Sequence, residues 1–166
     1  TITEPALTGG GRIPKPGIIS LSHRGVLFLD ELPEFSRRTL DLLRQPLEDR
    51  EIHIARSYGS YTFPADFLMA AAMNPCPCGY FPDRNLCHCD EHEVHKYLSR
   101  VSGPILDRVD ICVEAPRVKL EELNADTANE TSAQIRARVM AARERQELRF
   151  RGTSVKFNSE MNPAEV

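Results

Sequence analysis

Gly25-Val-Leu-Phe-Leu-Asp-Glu-Leu-Pro-Glu-Phe35, GVLFLDELPEF, decides how the rest of the chain is read. Val26 to Leu29 form a short apolar run of the kind found in strands buried on both faces. The run ends on adjacent carboxylates, Asp30 and Glu31. Nucleotide hydrolysis needs such a pair: one carboxylate holds Mg²⁺ through its waters, and a second group orients or deprotonates the attacking water. Taken alone, an Asp-Glu after an apolar run is equally a strand leaving for solvent, so its neighbours must decide.

Ser36 is a plausible N-cap, and Leu40, Leu43 and Leu47 follow at helical spacing, with Pro46 expected to kink or end that helix early. Ile52 to Ala55 and Tyr61 to Phe63 flank a Ser57-Tyr-Gly-Ser60 joint and predict a hairpin. Phe67 to Met73, FLMAAAM, reads as another strand and stops at Asn74-Pro75, and Val109 to Ala115, VDICVEA, reads as one more. Strands alternating with helices favour a parallel sheet whose functional groups gather at the carboxyl ends of its strands. Asp30-Glu31 and Asn74 end strands, and Asp107-Arg108 precedes the last one. Asn74 would position a water without adding charge.

The remaining segments are less regular. Residues 1 to 17, rich in Gly and Pro, predict a loop, and residues 75 to 92 look irregular before a helical stretch near Val94 to Val101. Beyond Pro116, TSAQIRARVMAARERQELRF places Ile135, Val139, Ala142 and Leu148 at near-helical spacing, which predicts a long amphipathic helix. With 166 residues, 41% hydrophobic and 27% charged, the chain has the material for one core with a small appendage. No segment approaches the roughly 20 apolar residues of a membrane span, and no secretory signal is visible. The expected location is the cytoplasm. The start at Thr1 and the polar end at Val166 suggest a piece of something longer.

Three stretches in order, GVLFLDELPEFSRRTLDLLRQPLEDR, AAMNPCPCGY and LSRVSGPILDRVDI, resemble the magnesium-chelatase-like AAA+ ATPases of the YifB/ComM family, with a match from about Gly9 to Pro116. The resemblance implies an α/β fold: a partial P-loop NTPase (AAA+) core over residues 1–116, with a mostly parallel sheet flanked by helices and a β-hairpin insertion. Residues 117–166 would begin a helical lid. It implies ATP and Mg²⁺ as cofactors, Asp30 and Glu31 as the Walker B pair, Asn74 as sensor 1, and Arg108 as an arginine finger reaching a neighbour's ATP. It further implies a homo-oligomeric ring, hexameric in such motors. Arg108 alone would read as a salt bridge to Asp107 or Asp110. GGGRIPKPG and the hairpin would face a central pore, where Arg12, Lys15 and Arg56 meet a DNA backbone. A flexible surface loop is the alternative. The phosphate-cradling GxxxxGK[ST] does not occur, because no glycine here is followed by lysine. The P-loop is therefore expected upstream of residue 1, and the isolated chain is expected to be inactive.

Cys76, Cys78, Cys87 and Cys89, as C-P-C and C-H-C, can enclose a tetrahedral zinc. Disulfides, argued against by a cytoplasmic setting, and free thiols are the rivals. Cys112 reads as a small buried hydrophobe. Three functions result: an ATP-driven ring motor on DNA, a chelatase-type ATPase driving a partner enzyme, and a non-catalytic zinc-stapled nucleic-acid-binding module. The net charge of −3 does not advertise DNA binding.

Overall fold

The computed structural model describes residues 2–118 and 130–162. The chain forms two compact units, Thr1–Val109 and Asp110–Val166.

The first unit opens with α1 (Glu4–Thr8), then the two-residue strands β1 (Gly9–Gly10) and β2 (Lys15–Pro16), which pair antiparallel. The loop expected over residues 1–17 is thus partly ordered. Pro5 suits a first helical turn, where its missing N–H costs nothing, and Leu7 is drawn into the core. Gly9 is required where it stands: its φ is 96°, and a Cβ there would lie 2.3 Å from the Lys15 carbonyl oxygen. The chain continues through α2 (Ile18–Leu21) to β3 (Val26–Leu29), a 3₁₀ turn at Leu32–Glu34, α3 (Arg37–Asp41) and α4 (Arg44–Asp49). The predicted single helix is two, broken at Leu42–Leu43. Pro46 accounts for the break, since its ring excludes the carbonyl four residues earlier, that of Leu42. The Ser36 cap forms: the Thr39 amide donates to Ser36 Oγ at 3.1 Å.

Next come β4 (Glu51–Arg56) and β5 (Gly59–Pro64), the expected hairpin, in register from Glu51↔Pro64 to Arg56↔Gly59. Then β6 (Leu68–Ala71) pairs parallel with β3, from Val26↔Leu68 to Leu29↔Ala71. His23 Nδ1 accepts from the Asp66 amide at 3.1 Å and the Arg24 amide donates to the Asp66 carbonyl at 2.6 Å, fixing the entry to that pair. Helices α5 (Glu91–Leu98) and α6 (Gly103–Leu106) complete the unit. Leu7, Ile19, Leu29, Leu40, Ile54 and Ile105 are among the side chains of its core.

Two expectations about strands fail. The parallel sheet has two strands among the described residues, and β3 is covered on one face: Leu27 and Leu29 are buried, while Val26 and Phe28 are 60% and 62% exposed. The stretch VDICVEA forms no strand. Ile111, Val113 and Cys112 are exposed, so Cys112 is not the buried hydrophobe expected.

In the second unit, α7 (Ser132–Arg149) starts from a capping box between Thr131 and Gln134. Asn158 folds back on the helix end, its amide donating to Gln146 Oε1 at 2.9 Å, and Arg143 lies over the Phe157 ring at 5.2 Å. The predicted helix is present, but Ile135, Val139 and Leu148 are exposed among the described residues. No helix of the described residues is long and apolar enough to cross a membrane.

Candidate functional site

Parallel pairing brings two of the three predicted tips together. The β3–β6 ladder continues one step beyond the strands: the Ala72 amide donates to the Leu29 carbonyl at 2.9 Å and the Leu32 amide to the Ala72 carbonyl at 3.0 Å. Asp30 and Glu31 therefore stand beside the chain that leads into Asn74, and all three are exposed. Glu31 adopts a left-handed conformation, φ 51° and ψ 50°, which costs a non-glycine residue about 1–2 kcal/mol. Asp30 Oδ1 accepts the Glu31 amide at 2.9 Å, and the Glu31 carbonyl accepts from the Glu34 amide at 2.8 Å, so the turn is held from both sides. Arg24 and Arg50 share a positive φ, but only Glu31 places it on an acidic residue at a strand tip, where strain often marks a functional position.

Three residues that sequence reasoning did not single out surround this tip. Tyr97, buried on α5, has its phenol pushed up from the ordinary value by burial first, then by the Glu34 and Glu31 carboxylates. Arg100 and the Asn74 backbone amide, which donates toward the phenol oxygen, pull the other way. Arg100 Nη1 donates to Glu34 Oε1 at 3.0 Å and to the Pro33 carbonyl at 3.4 Å, and its guanidinium lies 5.8 Å from the Tyr97 ring centre. Gly79, with φ of 80°, lies against Asn74, since a Cβ there would be 3.9 Å from the Asn74 amide group. The i, i+3 spacing of Tyr97 and Arg100 is the only sequence signal for the first two.

Arg108 is engaged elsewhere. It follows α6 rather than preceding a strand, and its guanidinium pairs with Glu48 of α4 and donates to the Pro104 carbonyl, leaving its Nε without a partner. The partner is thus Glu48, not Asp107 or Asp110. Arg12, Lys15 and Arg56 are exposed, and Arg56 reaches to within 3.3 Å of where a Gly10 Cβ would stand, so hairpin and glycine-rich turn are neighbours.

The four cysteines also converge. The sulfurs of Cys76, Cys78, Cys87 and Cys89 all lie within 4.8 Å of one another, a group able to hold a metal ion. All four are free thiols. Charge is shared unevenly among them. Cys78 is lowered to about 6, chiefly because the Tyr80 amide donates to its sulfur. Cys89 is raised to about 12: the Cys78 amide lowers it, but burial and the adjacent Cys78 and Cys76 sulfurs outweigh that.

The family described as "Magnesium chelatase, subunit ChlI" matches residues 1–123. The uncharacterized protein YifB of Escherichia coli (strain K12) is 51% identical over 142 residues, covering 85% of this chain and 28% of that protein. Competence protein ComM of Haemophilus influenzae is 48% identical over 163 residues, covering 98% of this chain and 31% of that one. The chain thus spans under a third of the length of the curated relatives it matches. A crystal structure of NtrX from Brucella abortus in complex with ADP superposes with a TM-score of 0.44 at 20% identity, covering 67% of this chain and 22% of that one. A likeness at that score bears on neither fold nor function.

Proposed function

Because the chain belongs to the magnesium chelatase subunit ChlI family, in its YifB/ComM branch, we propose that it is part of an ATP-hydrolysing AAA+ ring motor that works on DNA in the cytoplasm. The observation that carries this is the parallel β3–β6 pair, from which Asp30 and Glu31 leave the tip of β3 beside Ala72, two residues before Asn74. A strand end that merely meets solvent has no use for a strained acidic turn braced by a buried tyrosine and an arginine.

The residues fit a magnesium nucleotide in part. Exposed carboxylates are the hard oxygen ligands Mg²⁺ accepts, whereas no phosphate cradle of the form GxxxxGK[ST] lies within the 166 residues. Mg-ATP, when bound, supplies the phosphoryl group and neutralises charge on it. Asp30 would be the metal-side carboxylate, Glu31 the base that takes the proton of the attacking water, and Asn74 the neutral group that orients that water. Arg108 would serve a neighbouring copy in the ring, a hexamer in this reading, by exchanging Glu48 for phosphate oxygens. Residues 117–166 would open the helical lid.

Exposed Arg12, Lys15 and Arg56 on adjoining turns favour a nucleic-acid backbone as the track, since sequence-independent contacts come from such groups. The family's description favours a second reading, an ATPase subunit that drives a partner chelatase. ATPase assays on the full-length protein separate the two. DNA should stimulate turnover several-fold, and stimulation by a chelatase partner but not by DNA would overturn the motor.

A further inference from the structure

The segment from Pro75 to Asp90 contains no helix or strand. Its interior consists of the sulfurs themselves: Cys76, Cys87 and Cys89 are buried with Val94 of α5, while Cys78 and Phe81 pack at the edge. A 16-residue stretch this poor in apolar side chains does not hold a single conformation by hydrophobic burial, and small irregular units of this kind rely on a cross-link or a metal.

We propose that Cys76, Cys78, Cys87 and Cys89 bind one zinc ion, and that this ion fixes the 75–90 loop as a brace for Asn74 and, through α5, for Glu31 and Glu34. The sulfur separations fit. Thiolates about 2.3 Å from a tetrahedral zinc stand about 3.8 Å apart. Here Cys76 and Cys78 are 3.3 Å apart, Cys78 and Cys87 3.6 Å, and Cys76 and Cys87 3.8 Å. Backbone amides are aimed at every sulfur: Tyr80 and Phe81 toward Cys76, Tyr80 and His88 toward Cys78, Cys89 toward Cys87, and Cys78 toward Cys89. The Phe81 amide stands 3.4 Å from Cys76 Sγ. Such donors orient sulfur ligands. Four soft sulfur donors within 4.8 Å of one another select zinc over hard cations.

The brace follows from contacts that run outward in two directions. Cys76 is two residues beyond Asn74, and Gly79, within the loop, abuts the Asn74 side chain. On the other side Val94 packs on the sulfurs, and one turn later Tyr97 faces the Asn74 backbone amide within the field of the Glu31 and Glu34 carboxylates. Arg100 then ties Glu34. The metal site stands without the ATPase reading. Only its consequence for turnover rests on that reading.

The test uses this chain, produced without a histidine tag. Elemental analysis should find close to one equivalent of zinc, and less than a tenth of an equivalent, or iron in its place, overturns the site. Replacement by Co²⁺ should give the visible bands of a tetrahedral all-sulfur centre, and an octahedral cobalt spectrum overturns it. Removing zinc with a chelator should shift the backbone amide resonances of Asn74, Gly79 and Glu31 while leaving those of β4 and β5 in place. If zinc is released and the Asn74 and Glu31 resonances do not move, the brace is wrong. None of these readouts requires nucleotide hydrolysis, so a failed motor hypothesis and a failed zinc site remain distinguishable. They also do not depend on Cys→Ser variants, which are prone to unfold.

Discussion

Replacing Glu48 and Arg108 singly and together tests whether Arg108 is held by this chain in the absence of a neighbour. Glu48 and Arg108 pair across α4 and the end of α6, with side-chain exposures of 52% and 22%. At about 4 Å, two unit charges attract by about 1 kcal/mol in bulk water and about 4 kcal/mol at an effective dielectric of 20. Half of the Glu48 side chain is exposed, so the coupling should fall near the lower end, about 1–1.5 kcal/mol. Glu48→Ala should cost slightly more than that coupling, because it leaves a mostly covered guanidinium, whose Nε already lacks a partner, with only the Pro104 carbonyl. Arg108→Ala removes the charge along with its covered stem and should cost a similar amount. The double variant should then be about 1 kcal/mol more stable than the sum of the single effects. Urea unfolding of the four proteins, followed by far-ultraviolet circular dichroism, measures this directly. A coupling below about 0.3 kcal/mol would mean that the pair contributes nothing and that Arg108 is free to move.

Ser36→Ala removes the acceptor for the Thr39 amide and the 2.7 Å partner of the Thr39 hydroxyl. It should lower unfolding free energy by about 1 kcal/mol, with Ser36→Asp restoring most of it; equal stability of the Ala and Asp variants would refute the cap. Leu40 is 1% exposed in the core, so Leu40→Ala should cost about 3 kcal/mol in the same assay. A loss under 1 kcal/mol would show that α3 is not packed as described.

How far the sequence disclosed this arrangement depends on the range of the interaction that fixes each part. The apolar runs at 26–29 and 68–71 and the hairpin at 51–64 were legible because β-propensity and turn chemistry are local. The Ser36 cap was fixed by a residue three positions on. Pro46 announced a break but not its place, which the carbonyl four residues earlier determines. VDICVEA has strand composition, yet a strand exists only where another supplies its hydrogen bonds, and composition carries no record of that neighbour. Leu7 turned a segment read as loop into helix because the core, not local propensity, holds it. At the candidate site, Asp30, Glu31 and Asn74 stood out as polar residues ending apolar runs. Tyr97, Arg100 and Gly79 did not, since their contacts with that tip span from 5 to 67 positions in the chain. The alternative reading of Arg108 as an ion pair named its nearest acids in sequence, whereas folding delivers the more distant Glu48.

The central claim is that Glu31 is the base of an ATPase site at the β3 tip. Glu31→Gln in the full-length protein keeps the size and left-handed turn of the residue while removing its ability to take a proton. Steady-state ATPase activity should fall at least about 100-fold, with the affinity for ATP, read from fluorescent-nucleotide titration, changed less than about threefold. Turnover within twofold of the unsubstituted protein would contradict the assignment.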